Sequence, residues 1–581
     1  MLNNGLRRRK VDLDFYLHRV FQKKSFRPLQ REVATAAVEG HDVFLQASTS
    51  FGKSLCFQLP AMTTHGVTVV VCPLLSLMTD QVNALQALGV PVATINSTTS
   101  PQERRAILDD LLSGHPRIRL LYVTPELCQT DTFRRTLQTI HRQRELVRVA
   151  IDEAHCISEW GHDFRPAYKN LAWFRATLTD PPVPISALTA TATPQVRTDI
   201  INILGLDPAR MKIFSTPSAR PNIHYEVRFM QDFAPDPTEP EEFQVHDLLT
   251  WLHAIQERRE ARLGAEAAPN LPPISGIIYV STRMATERLA QAICQCDDRI
   301  RAVAYHAGLA SADRTRVQNE WISPQKQQQQ QPQGQGQTNS EPKYLTFYII
   351  VATTAFGMGI DNPEVRFVVH WSPPRTFEGF VQESGRAGRD GRAAASIVYY
   401  NPQERERVLN HLRRDLENVN NRSGGRNAGL NRDKVSLLRN LYARKQSFEK
   451  VVRYCEGTTR CRHELIREVF GDLELEKMGS QVPPTKFEEP IKTEERLKVE
   501  SATQNGVVGP GSTDEFTSAP VLNSPCDYAC DFCKEGPKGL AQRKAKMASE
   551  EELNDFMEVS GWLEAMFPLD RMFPELRFRA A

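Results

Sequence analysis

The sequence predicts an α/β protein: two tandem domains with doubly wound parallel sheets, followed by a small helical domain organised around cysteines. Three observations carry this prediction. Short, near-continuous apolar runs (Val67–Cys72, Ile118–Val123, Leu146–Ile151) alternate with helical patterns, as do strands of a sheet covered on both faces. The alternation resumes beyond the Pro- and acid-rich stretch Asp232–Pro240, this time without a glycine-rich loop of the first kind. Near the C-terminal end stands the triplet Cys526-x3-Cys530-x2-Cys533.

Length and composition set the frame. The 581 residues allow about two to four domains. Lys and Arg number 72 against 70 Asp and Glu, a net charge of +2, which neither requires nor excludes a nucleic-acid partner. No apolar run approaches a membrane span and no secretory signal opens the chain, so a membrane protein is not expected. Most of the 11 cysteines are scattered in apolar contexts, as in a reduced intracellular protein. Arg7-Arg8-Arg9-Lys10 fits either an import signal or a solvated terminus.

Residues 1–11 are expected to be flexible and residues 12–228 to form the first domain. Two helical patterns flank Ser25-Phe26-Arg27-Pro28, and Leu29–Val38 keeps its apolar residues on one face with Gln30 at its start. The Gln30 amide offers a donor and an acceptor, matching the N6 and N7 edge of adenine. The strand Asp42–Gln46 then leads into Ala47-Ser48-Thr49-Ser50-Phe51-Gly52-Lys53-Ser54, a phosphate-binding loop with Ala47 in place of the usual first glycine. Its backbone N–H groups, from Thr49, Ser50 and Gly52 onward, and the helix start beyond are suited to nucleotide phosphates. Lys53 is placed to reach the β- and γ-phosphates, and the Ser54 hydroxyl to ligate Mg²⁺.

Helical patterns over Leu75–Leu88 and Ser100–Leu112 separate the next strands. At the end of a buried strand stands Asp152-Glu153-Ala154-His155, where an unpaired carboxylate would cost several kcal/mol. A Mg²⁺ ion held through Asp152 resolves that cost, and Glu153 then polarises the attacking water. A helix-capping Asp152 accounts for one acid but not for the whole string. Ser186–Thr193 is a hydroxyl-rich turn suited to sensing the γ-phosphate. Between these lie Trp160, His162, Phe164 and Arg165, whose rings and guanidinium suit stacking on unpaired bases; a satellite core cluster is the alternative.

This order of motifs resembles superfamily-2 helicases, and within them the RecQ family of DNA helicases. Phe26-Arg27-x2-Gln30 is similar to that family's adenine-recognition motif, with Arg27 and Gln30 its implied contacts. The Asp-Glu-Ala-His string followed by Cys156-Ile157-Ser158-Glu159-Trp160-Gly161-His162-Asp163-Phe164-Arg165-Pro166 is similar to its aromatic-rich loop, which couples single-stranded DNA to ATP hydrolysis. The resemblance runs from about Leu17 to Cys533 and implies that both α/β domains are RecA-like. Typical RecQ loops carry Pro and Gly where this chain has Ser48, Ser50 and Phe51, and a Cβ at Phe51 restricts the turn that Gly permits.

The second domain is expected over 229–420, with a linker at 229–272 and a disordered Gln-rich insert at 323–343. Ile274–Val280 and Tyr348–Val351 read as strands. Gln382-Glu383-Ser384-Gly385-Arg386-Ala387-Gly388-Arg389 sets two arginines three apart in a Gly-rich segment. Arginine suits reaching across a cleft to a γ-phosphate; binding a local carboxylate or nucleic-acid phosphate is the alternative. The resemblance makes Arg389 the finger and gives Arg386 and Gln382 nucleotide contacts.

The third domain is expected over 421–534, with helices Val435–Tyr454 and Arg462–Phe470 and a disordered insert at 472–524. The cysteine triplet and one further thiolate complete the tetrahedral set that structural Zn²⁺ prefers. By sequence, Cys455 and Cys461 compete for that place; the resemblance selects Cys461, which opens a helix as a Cys-Arg pair, beside Cys526, Cys530 and Cys533, and the x3 spacing is similar to the RecQ-five branch. Residues 535–581 form a tail, with an apolar stripe at Trp562, Met566, Phe567, Met572 and Phe573, too short for the winged-helix and helical DNA-binding domains of longer RecQ proteins.

The resemblance therefore implies an ATP-, Mg²⁺- and Zn²⁺-dependent 3′→5′ DNA helicase. Its partners would be single-stranded DNA and branched or 3′-tailed duplexes, and its roles recombination, repair and replication in the nucleus on chromosomes, with the cytoplasm a second location. A DEAH-type RNA helicase and a catalytically weak, zinc-dependent DNA-binding scaffold are the rival readings.

Overall fold

The computed structural model describes residues 11–49, 51–161, 163–207, 209–230, 240–264, 271–322, 345–354, 356, 362–421, 432–478 and 530–545. Ser50, His162, Cys526, the Gln-rich insert and the apolar stripe of the tail lie outside them.

The apolar runs form two parallel sheets. The first holds β1 (Asp42–Gln46), β2 (Val67–Val71), β3 (Val92–Ile95), β4 (Leu120–Val123), β5 (Leu146–Ile151), β6 (Ile185–Thr189) and β7 (Met211–Ser215), in the order β3-β4-β2-β5-β6-β1-β7. Its central strands are buried along their whole length, as required of strands with helices on both faces. The order sets β6 between β5 and β1. Parallel strands end at one edge of the sheet, so the segments following β1, β5 and β6 become neighbours there. The Ala47 N–H donates to the Thr189 carbonyl (3.0 Å), stitching two of those ends together.

The second sheet contains β8 (Ile223–Phe229), β9 (Ile274–Tyr279), β10 (Ile300–Tyr305), β11 (Phe347–Ala352), β12 (Val365–His370) and β13 (Ala394–Tyr400), in the order β10-β11-β9-β12-β13-β8. This corrects the expected boundary at 228/229. Strand β8 pairs in parallel with β13, Ile223 opposite Ala394 through Phe229 opposite Tyr400, and so belongs to the second lobe. The crossing between lobes is the segment Thr216–Asn222. Helix Pro240–Leu263 occupies most of the expected linker.

Two further expectations need correction. The stretch from Asp472 was expected to be disordered, yet Asp472–Met478 is a helix. Leu475 is fully buried in the first lobe's core, and Asp472 accepts hydrogen bonds from the Ser218 N–H (2.8 Å) and hydroxyl (2.7 Å). A tail was expected from residue 535, yet helical structure spans Asp531–Ala545, broken by a kink at Gly536 (φ 75°), and Arg543 donates to the Val227 carbonyl (2.7 Å). The C-terminal helices are thus joined to both lobes. Phe448, Val451, Ile466, Phe470 and Cys530 share one core with Tyr225, Phe377 and Phe380 of the second lobe.

Candidate active site

The loop after β1 turns on Gly52, whose φ of +81° lies in the left-handed region. A Cβ at that position would approach Gln30 Nε2 to 2.8 Å, so both conformation and space require glycine. The Phe51 side chain is buried in the first lobe's core. The helix beyond begins at Leu55 with Ser54, half-buried, as its preceding residue. Lys53 is buried and donates to the carbonyls of Ala47 (3.0 Å) and Ser48 (3.3 Å). Burial lowers its pKa, and the carboxylates of Glu153 and Asp152 oppose that.

Gln30 opens helix Gln30–Val38 as expected, but both ends of its amide are engaged by backbone. Nε2 donates to the carbonyls of Phe51 (2.8 Å) and Gly52 (3.2 Å), while Oε1 accepts from the Arg27 N–H (2.9 Å). The pair therefore braces the phosphate loop.

Asp152 and Glu153 are buried at the end of β5. Asp152 is not a helix cap in the usual sense, since its Oδ1 accepts from the adjacent Glu153 N–H (3.0 Å), one residue on, and not from an N–H two or three residues ahead. Glu153 takes the left-handed conformation (φ 48°), sparsely populated by non-glycine residues, and its Oε2 lies 3.3 Å from His155 Nδ1. Burial raises the pKa of Asp152, opposed by Lys53. Burial, then the charge of Asp152, pushes Glu153 up to about 7. His155 Nδ1 is 3.0 Å from Thr189 Oγ1, and Thr189 in turn donates to the Thr191 carbonyl (3.2 Å). The acid string and the hydroxyl-rich turn are thereby in contact, while Thr193 caps the following helix, Pro194–Leu204.

The second lobe presents its Gly-rich segment to this edge. Thr49 Oγ1 donates to the Gly385 carbonyl (3.3 Å) across the cleft. Arg386 is buried, hydrogen-bonds the Tyr279 hydroxyl, and its charge favours the ionised form of Glu153. Arg389 is half-buried and close enough for its charge to depress the pKa of Lys53. Gln382 is buried on helix Phe377–Ser384, which leads into the two arginines. The structure thus gathers Lys53, Asp152, Glu153, Arg386 and Arg389 from the two lobes at one cleft.

The aromatic loop is held at one side by the long helix Arg432–Glu456. Glu159 accepts from Ser436 Oγ (2.6 Å), approaches Arg439 (3.5 Å) and pairs with Lys169; Asn440 donates to the carbonyls of Glu159 (3.1 Å) and Gly161 (3.4 Å). Trp160 is half-buried with its ring edge-on to Tyr442, centroids 6.0 Å apart. Phe164, also half-buried, lies under Lys169. Arg165 donates to the Pro73 carbonyl (2.6 Å) and lies 3.5 Å from Asp163, so it ties the loop to the end of β2. Sequence reasoning missed Glu159, Ser436 and Asn440, whose pairing nothing in their local pattern announces.

Cys461 and Cys530 stand beside each other, Sγ to Sγ 3.7 Å, with His463 Nδ1 3.9 Å from Cys461 Sγ. A tetrahedron of thiolates about 2.3 Å from a central Zn²⁺ has edges of about 3.8 Å, so the donor pair fits this metal. The cause of the approach is local. Arg462, fully buried, forms a bidentate pair with Asp531 (Nε–Oδ1 2.8 Å, Nη2–Oδ2 3.0 Å), drawing the two adjacent cysteines together. Cys455 lies in the apolar core outside this group, and Cys533 is half-buried against the same core.

Comparison with known proteins agrees with this geometry. Residues 27–200 match the DEAD/DEAH box helicase model and residues 271–391 the helicase conserved C-terminal domain. The chain is 39% identical over 458 residues to ATP-dependent DNA helicase Q5 of Mus musculus, covering 78% of this chain and 41% of that protein. It is 35% identical to RecQ-like DNA helicase BLM of Xenopus laevis, covering 78% and 28%, and 33% identical to ATP-dependent DNA helicase Q1 of Rattus norvegicus, covering 79% and 62%. The chain thus spans less than two thirds of the length of each of these relatives.

Proposed function

The chain belongs to the RecQ family of DEAD/DEAH-box helicases, and on that premise we propose that it is an ATP-dependent DNA helicase that moves 3′→5′ along single-stranded DNA and unwinds duplexes. The observation that carries this reading is the meeting of Lys53, Asp152 and Glu153 with Arg386 and Arg389 across one interlobe cleft. Nuclear action on branched or 3′-tailed DNA, in recombination, repair and replication, belongs to the same reading.

Lys53 exchanges its bonds to the Ala47 and Ser48 carbonyls for the β- and γ-phosphates. Gln30 does likewise when it meets the adenine edge with Arg27 beside it. Ser54 and Asp152 would hold Mg²⁺, which when bound would neutralise charge on the phosphates. The buried, raised carboxyl of Asp152 is the feature that fits a cation there. Glu153 accepts the proton of the attacking water, and Arg389 meets the charge developing on the γ-phosphoryl group. Trp160, His162, Phe164 and Arg165 bear on DNA bases, and their loop passes that contact to Asp152 and Glu153 through the few residues between.

The deciding assay measures ATP turnover with single-stranded DNA and RNA side by side. DNA-stimulated turnover, abolished in Lys53→Ala, is expected. Equal stimulation by RNA would sink the DNA assignment, and Lys53→Ala turnover equal to wild type would sink the enzyme. Zn²⁺ is assigned to Cys461, Cys526, Cys530 and Cys533. Metal analysis of Cys530→Ser is expected to show loss of zinc, and an unchanged content overturns the assignment.

A further inference from the structure

The crossing between lobes, Ser218-Ala219-Arg220-Pro221-Asn222, is the least expected participant in the cleft. Arg220 is buried, yet its guanidinium is not aimed at a carboxylate. Nη1 donates to the carbonyls of Gly385 (3.2 Å) and Ala387 (3.3 Å), and Nη2 to that of Gly388 (2.5 Å). Those carbonyls belong to the residues on either side of Arg386 and immediately before Arg389. Asn222 adds Nδ2–H bonds to the Gly388 (2.9 Å) and Arg392 (2.8 Å) carbonyls and accepts from Arg220 Nη2 (3.4 Å). Gly388 has a φ of +58°, and a Cβ there would come within 2.6 Å of Asn222 Nδ2, so the backbone is drawn tightly onto this pair.

A buried guanidinium bound to neutral carbonyls gains less than one in an ion pair and bears the same desolvation. Its burial is therefore better explained by the backbone shape it enforces. Arg220 is itself fixed. Its carbonyl accepts from His463 Nε2 (3.1 Å), which must carry the proton because a carbonyl only accepts. The other ring nitrogen faces Cys461, and the His463 ring packs edge-on to Tyr225 with centroids 4.9 Å apart. Two residues before Arg220, Ser218 is gripped by Asp472. The crossing is clamped from the C-terminal helices at both points, by His463 of Arg462–Phe470 and by Asp472 of Asp472–Met478, and Arg220 projects from it into the arginine segment.

We propose that Arg220, seconded by Asn222, is a positioning residue for ATP hydrolysis: it shapes Gly385–Gly388 so that Arg389 reaches the γ-phosphate. The proposal rests on the helicase reading above. It also places the C-terminal helices upstream of the finger, since His463 and Asp472 hold the segment from which Arg220 extends. Misplacing a catalytic group by about 1 Å costs on the order of 10²-fold in rate.

The test uses the full chain with single-stranded DNA. Arg220→Gln is expected to lower kcat about 10²-fold while the KM for ATP and the Kd values for ADP and DNA stay within about twofold. Arg220→Lys, which keeps the charge but not the fork, is expected to recover little of the loss. Binding of ADP with aluminium fluoride, which mimics the transferring phosphoryl group, should weaken while ADP binding does not. In an Arg389→Ala background, Arg220→Gln should cause no further drop in kcat. Full turnover in Arg220→Gln, or losses that multiply in the double variant, would overturn the proposal. If Arg220→Gln does not fold, Asn222→Ser is read by the same criteria with a smaller expected loss. Wild-type protein without DNA-stimulated turnover would instead overturn the helicase reading, so the two failures are distinct.

Discussion

Arg389→Ala is expected to reduce DNA-stimulated ATP turnover about 10³–10⁵-fold, the range associated with loss of an arginine finger. The size of the effect follows from when the side chain acts. Charge spreads over the equatorial oxygens only as the γ-phosphoryl group transfers, so a guanidinium placed there stabilises the transition state more than bound ATP. Affinity for ADP should therefore change little. Lys53, felt electrostatically by Arg389 in the folded protein, lies on the opposite wall of the same cleft. Steady-state turnover with saturating DNA, alongside titration of a fluorescent ADP, separates the two effects. A variant retaining turnover within tenfold of wild type would remove Arg389 from that role and leave Arg386, buried against Tyr279, as the alternative.

The parts legible in the sequence are those governed by local chemistry. Apolar runs such as Val67–Val71 had to be buried strands, and the glycine and lysine of the loop and the acids after β5 announce themselves by type and spacing, whereas the choice of Cys461 over Cys455 came from the family resemblance. What escaped depends on partners distant in the chain. Strand β8 alternates buried and half-buried residues and lies just before a Pro-rich stretch, so it resembles the end of the first lobe; only its pairing with β13, some 170 positions on, assigns it to the second. Helix Asp472–Met478 is mostly charged, and it is fixed by Leu475 entering a core made of residues hundreds of positions earlier. Arg220 carries no local signal, since its role exists only once Gly385–Gly388 arrives beside it. Gln30 shows a subtler limit: the residue type was informative, but the same amide groups that match adenine also match two loop carbonyls.

Glu153→Gln is expected to lower turnover about 10²–10⁴-fold, the span typical of losing a positioned general base. The amide is nearly isosteric and can still hydrogen-bond water, but it cannot take the proton. The environment makes a further, opposite prediction for stability. Burial and the neighbouring Asp152 push Glu153 up to about 7 from 4.5, so in the ligand-free protein its charged form is disfavoured. The folded protein holds this proton more tightly than the unfolded chain does between pH 4.5 and 7. Its contribution to stability therefore rises as pH falls through that window, and is lowest above pH 7, where the buried carboxylate is charged. Activity runs the other way: kcat/KM, which reports the free enzyme, should fall about tenfold per pH unit below about 7 as the base becomes protonated. Glu153→Gln removes the buried charge and should therefore melt at a higher temperature than wild type at pH 8, with the difference narrowing toward pH 5. A thermal shift in the opposite sense at pH 8 would show that Glu153 is compensated in the folded protein, and a kcat/KM profile flat from pH 8 to 5.5 would remove it as the base. A rise in stability accompanied by loss of turnover is the signature of a residue held at a cost to the fold because the chemistry needs it there.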